Sequence, residues 1–265
     1  MNTKMSALTV DPGKQRLLLA ALLVLNALAA MVYVAMPEGL RNVTAASGMP
    51  MPTMDIWQLA LGNAAIILLG YGAIGLFGLW LAHSAGLPGI FRAGAGWRVL
   101  LLRPLLLGSA TGAVLVVADL AGRATGGYAG FPHPPFPASL LASLTAGIGE
   151  ELMFRLFVMS LWAILLGWLL RRVFPGRETR GWSLWAANGV AALAFAAFHL
   201  PTAMTLEAVA TPALLPPLML VELIVLNGLL GIVAGKAFAR DGLIAASGVH
   251  FWADVVWHVV FGGIV

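Results

Sequence analysis

Ala138-Ser-Leu-Leu-Ala-Ser-Leu-Thr-Ala-Gly-Ile-Gly-Glu-Glu-Leu-Met-Phe-Arg-Leu-Phe-Val-Met-Ser160 is an apolar run of membrane type that carries two adjacent carboxylates and a guanidinium. Moving an ionised side chain from water into hydrocarbon costs several kcal/mol, so such groups are rare there and mark function by default. Glu150, Glu151 and Arg155 fall within six residues. Extended to 138–170, the run would make a helix of ~50 Å at 1.5 Å per residue, against a hydrocarbon core of ~30 Å. Gly147 and Gly149 directly precede the acidic pair. A helix bends or breaks most easily at such positions, so the sequence predicts a broken or strongly tilted helix with the carboxylates at the break.

The rest of the chain agrees with a membrane setting. Of its 265 residues 60% are hydrophobic and 10% charged, with mean hydropathy +0.93. A soluble domain carries roughly 25% charged residues. Apolar runs near 17–36, 57–82, 99–121, 138–170, 183–200, 212–235 and 242–262 predict an all-α polytopic membrane protein of about seven transmembrane helices. An eighth short element is possible around 87–95. The chain reads as one transmembrane domain, its first three spans within 1–137 and four more within 138–262, the part that holds the acidic pair. Ala27-Leu-Ala29 mimics a signal-peptidase site, but the apolar run continues through Met36, which favours an uncleaved first helix.

Lys4, Lys14, Arg16, Arg92, Arg98, Arg103, Arg171, Arg172, Arg177, Arg180, Lys236 and Arg240 allocate to one side, and Arg41 and Arg123 to the other. This bias predicts an N-terminus in the cytoplasm and, with the Arg- and Ala/Gly-rich composition, a bacterial inner membrane. The pI near 10.0 therefore reflects topology, and nothing resembles a nucleic-acid surface. The absence of Cys excludes disulfides, thiolate nucleophiles and Cys-based metal sites.

Helical spacing separates the two carboxylates. Glu151 and Arg155 stand i,i+4 in the order that favours pairing, which reads as scaffold; Glu150 is left needing another partner. His199 ends the fifth run, just before Pro201, and His250 and Asp254 stand i,i+4 in the seventh. Glu150 and His199 can activate a water as general base, and His250 can donate to a developing oxyanion. Glu150, His199 and His250 could instead hold zinc. His258, beside Trp257, reads as interfacial, Glu222 and Asn227 as supporting polar groups, and Asp119 and Arg123 as a pair at a span end. His83 and His133 carry no signal, and Phe131-Pro-His-Pro-Pro-Phe-Pro137 reads as a rigid outer loop. Gly108/Gly112 and Gly231/Gly235 are small-xxx-small pairs for close helix approach.

Glu150-Glu151-Leu-Met-Phe-Arg155, Phe195-Ala-Ala-Phe-His199 and His250-Phe-Trp-Ala-Asp254 together resemble the three motifs of the CPBP family of intramembrane proteases. That family includes the type II CAAX prenyl endopeptidases and bacterial Abi-like bacteriocin-processing or immunity relatives. The resemblance covers roughly 138–258. It implies a glutamic endopeptidase acting near the terminus of a membrane-anchored or lipidated peptide, in contact with membrane lipids. Glu150 and His199 would activate water, and His250 and its partner Asp254 would stabilise the oxyanion. The family has also been described as metal-dependent, which keeps zinc open beside a mechanism with no cofactor. The CAAX endopeptidases carry Asn where this chain has Asp254. An ionised Asp cannot donate a hydrogen bond, so either burial keeps Asp254 protonated or, the reading preferred here, Asp254 orients His250 and keeps it cationic. The alternatives are a catalytically idle immunity or interaction protein and, further off, a proton- or ion-coupled transporter. Substrate identity and oligomeric state do not follow from the sequence.

Overall fold

The computed structural model describes residues 11–37, 55–126 and 130–265. Lys4 and Arg41 lie outside them. The described residues form helices and no strand. Among the described residues seven helices are long and apolar enough to cross a membrane, and the chain is an integral multi-pass membrane protein. They are α1 (Pro12–Val34), α2 (Ile56–Ser84), α3 (Arg98–Ala124), α4 (Ala138–Val173), the span Arg180–Leu206, α7 (Pro217–Asp241) and α8 (Leu243–Phe261). The fifth span bends at His199 into α5 (Arg180–Phe198) and the short α6 (Leu200–Leu206). Its bend falls where Pro201 removes a backbone donor.

Helix starts follow local chemistry. Asp11 Oδ1 accepts the Gly13 amide at 2.9 Å, ahead of Pro12, and Asp55 Oδ1 accepts the Trp57 amide at 2.8 Å. Both satisfy donors that a helix N-terminus leaves open. The outward faces are rich in exposed Leu and Trp, including Leu69, Trp80, Leu106 and Leu193. This is the pattern of a surface that meets lipid tails instead of water.

α4 lies at the centre, packed against α1, α2, α5 and α8. Two expectations are corrected here. Of the broken and the strongly tilted helix that the sequence allows, the break is not present: α4 runs continuously from Ala138 to Val173 over 36 residues. The irregularity is a wide π-type stretch, Leu152–Met159, starting directly after Glu151. A side chain at Gly147 would stand 3.1 Å from the Phe251 amide nitrogen and 3.2 Å from the Ser247 carbonyl of α8. At Gly149 it would stand 3.2 Å from Asn26 of α1. The glycines serve close helix contact, so the helix has no reason to break there. Residues 87–95 are likewise not an eighth helix but turns. They are held by buried Gln15, which accepts the Ile90 amide at 2.6 Å and donates to the Pro88 carbonyl at 2.9 Å.

Gly108 and Gly112 seat α3 on α8. A Cβ at Gly112 would approach the Ala253 carbonyl to 2.6 Å, and one at Gly108 would clash with that of Val249. Gly231 plays the same part against Ala192 at 2.8 Å. Gly112→Val is expected to push α8 away and lower the thermal midpoint in detergent, with a cost of about 1–3 kcal/mol for overpacking. An unchanged midpoint would show that α3 and α8 are not in contact.

α8 starts from a sharp turn at Gly242, whose φ of 99° suits glycine. That turn rests on buried Ile90: the Leu243 and Ile244 amides donate to the Gly89 and Ile90 carbonyls at 2.9 and 3.0 Å. The seventh span is thereby fixed at its start, which sets the height of His250.

Candidate active site

Glu150 and Glu151 occupy the last turn of α4 before it widens. Glu151 is fully buried, and its Oε2 lies 3.1 Å from the Arg155 Nε. That oxygen and nitrogen are close but not aligned as a hydrogen bond, so the contact is an ion pair. The Arg155 guanidinium, also fully buried, lies 5.2 Å over the Phe195 ring. The Glu151–Arg155 pair is thus present, but it does not exhaust Glu151. Its other oxygen, Oε1, accepts from His250 Nδ1 at 2.9 Å. The sequence missed this bond because it joins residues 99 apart.

Glu150 points into a cavity of about 250 Å³ bounded by α3, α4, α6, α7, α8, His199 at the α5–α6 bend and loop residues Phe131, Pro132 and Pro134. Its Oε2 stands 3.9 Å from the Nε2 of His199 and 3.9 Å from the Nε2 of His250. That oxygen has no hydrogen-bond partner among the described residues. Both separations are too long for a direct hydrogen bond and suited to bridging by a water.

The second nitrogen of each imidazole is already fixed. His199 Nδ1 lies 2.9 Å from the Phe195 carbonyl, one turn back on α5. A carbonyl only accepts, so Nδ1 carries the proton and, in the neutral ring, Nε2 presents a lone pair. His250 has a carboxylate at each side: Glu151 at Nδ1, and Asp254 Oδ2 at 3.5 Å from Nε2. Acceptors at both nitrogens are matched by a ring that donates from both. Phe195 fills the space between the two, with ring centroids 4.9 Å from His199 and 5.4 Å from His250. The Phe of the second motif is therefore the packing surface for both imidazoles.

Two sequence readings change at the rim. His258 lines the same cavity as Glu150, and its Nδ1 stands 3.0 Å from that of His133. His133, expected to carry no signal, packs edge-on against Trp257 and Phe261 and ties the loop to α8. Burial, followed by neighbouring His258, pushes the His133 imidazole down to about 4 despite the opposing pull of Asp119. It is neutral at pH 7, as a histidine–histidine hydrogen bond requires of at least one partner. The i, i+8 spacing of His250 and His258 on α8 was the available signal. Glu222 and Asn227 of α7 also line the cavity; Asn227 donates to the Leu223 carbonyl of its own helix at 2.9 Å. Asp119 and Arg123 pair at 2.6 Å on α3.

Among the described residues no three His, Cys, Asp or Glu side chains are gathered to hold a metal ion. Glu150 Oε2 stands 3.9 Å from the Nε2 of each imidazole, a separation that one bridging water spans.

No curated protein and no solved structure matches the chain. Residues 132–256 match the family model described as type II CAAX prenyl endopeptidase Rce1-like. All three motifs and the cavity's Glu150, His199, His250 and Asp254 fall within that range. Over residues 132–256 the chain is thus similar to the Rce1-like type II CAAX prenyl endopeptidases, a family of proteases.

Proposed function

We propose that this protein is an intramembrane glutamic endopeptidase that hydrolyses a peptide bond near the end of a membrane-anchored peptide. The observation that carries the proposal is the Glu150 Oε2, equidistant at 3.9 Å from the two imidazole Nε2 atoms and facing a cavity. A water held between Glu150 and the His199 Nε2 lone pair gives one proton to the carboxylate as its oxygen attacks the carbonyl carbon. His250 donates from Nε2 to the oxyanion of the tetrahedral intermediate. The C–N bond then breaks, and the proton held by Glu150 passes to the leaving amine. The steps use no metal. A bacterial inner membrane with a cytoplasmic N-terminus is the setting the basic-residue bias supports.

The experiment is cleavage of membrane-anchored peptides by the purified protein in proteoliposomes, read by mass spectrometry with and without chelator. Cleavage that persists in chelator is expected; activity lost to chelator and restored by zinc would overturn the metal-free reading. Substrate binding with no product over long incubation would favour an idle relative.

Asp254→Asn is expected to retain cleavage within about tenfold of wild type, the scale of one hydrogen bond of about 1 kcal/mol. Glu151, at 2.9 Å, holds the ring more closely than Asp254 at 3.5 Å. Complete loss of turnover in a folded Asp254→Asn protein would assign Asp254 a larger part.

A further inference from the structure

At the other end of α7, Asp241 is buried and faces three guanidinium groups. Arg92 Nε stands 3.2 Å from its Oδ1, and Arg240 Nε and Arg103 Nη1 stand 3.1 and 3.5 Å from its Oδ2. One carboxylate answers three cations, all of them half-exposed, which leaves two positive charges in excess at this point. Lys236 adds a third, its Nζ 5.9 Å from the Trp185 ring.

These charges rim a cleft that continues into apolar wall. A cavity of about 390 Å³ between α3 and α7 is edged by Arg103, Lys236, Arg240 and Trp185, with Leu107 and Val233 further along. An adjoining cavity of about 350 Å³ shares Trp185, Lys236 and Arg240. Asp241 is the one acid lining either, among the described residues. A set of arginines that merely marked topology would point into water above a closed helix surface. Here the cations stand over an apolar cleft, beside an indole of the kind that sits at headgroup level.

We infer that the cleft formed by Arg103, Trp185, Lys236 and Arg240 is a binding site for a phospholipid with a net negative headgroup. Its phosphate lies among the two guanidiniums and the ammonium, and an acyl chain runs along Leu107 and Val233. The apolar half of the cleft selects a lipid over free phosphate, which has nothing to place there. Basic pockets between transmembrane helices hold anionic headgroups by this combination. The site stands apart from the Glu150 cavity and does not depend on the protease reading.

The test is native mass spectrometry of the full-length protein released from vesicles of phosphatidylcholine, with or without phosphatidylglycerol. Retention of phosphatidylglycerol over phosphatidylcholine is expected. Lys236→Gln, which leaves the Asp241 ion pairs intact, should weaken retention roughly fivefold, and Lys236→Gln/Arg240→Gln more than tenfold. Arg171→Gln/Arg177→Gln, at the same end but outside the cleft, should leave retention unchanged. Equal retention of both lipids, an equal loss in the Arg171/Arg177 variant, or displacement by inorganic phosphate at matched concentration would each overturn the assignment.

Discussion

Glu150→Gln is expected to lower kcat for peptide cleavage by about a hundred- to ten-thousand-fold, the range for removing a general base. The amide has nearly the carboxylate's shape but cannot take the water's proton. Fold should be spared, because Glu150 Oε2 makes no hydrogen bond among the described residues and the Glu151–Arg155 and Glu151–His250 contacts do not involve it. His199→Ala should cost a similar factor. The double variant should be little worse than either single one, since residues that handle one water fail as a unit. Steady-state cleavage with thermal unfolding on the same samples checks this. Additive losses, or wild-type turnover in Glu150→Gln, would mean the two side chains do not share a water.

Glu151→Gln should act on stability as well as rate. Glu151 is fully buried between Arg155 and His250, and removing one partner of a buried pair costs about 3–5 kcal/mol because the other charge stays behind. A large drop in the thermal midpoint is expected, together with loss of cleavage. Glu151→Leu/Arg155→Met separates the two effects. Apolar replacement of a whole buried pair is often neutral or stabilising, so the midpoint should recover. Activity should not, because His250 Nδ1 still lacks its acceptor. Recovery of both would reduce Glu151 to scaffold.

The seven spans were legible because apolar runs bounded by charge and proline carry the signal for membrane helices directly. Their ends were less so: the fifth span extends through Thr205 and Leu206 beyond His199, since α6 continues after the bend. The glycines before Glu150 were misread because a glycine can break a helix or admit a neighbour, and only the position of α8 decides between them. The bond from Glu151 to His250 and the pairing of His133 with His258 depend on which helices are adjacent, which no local spacing encodes. Arg92, Arg103 and Arg240 could be counted for topology from the sequence. Their convergence on Asp241 needed the turn at Gly242.

The central claim, a water activated by Glu150 and His199, is tested most directly by a high-resolution experimental structure with anomalous data across the zinc edge. The expected result is an ordered water about 2.8 Å from both Glu150 Oε2 and His199 Nε2, with no anomalous peak. A zinc peak bonded to Glu150, His199 and His250 would contradict the account.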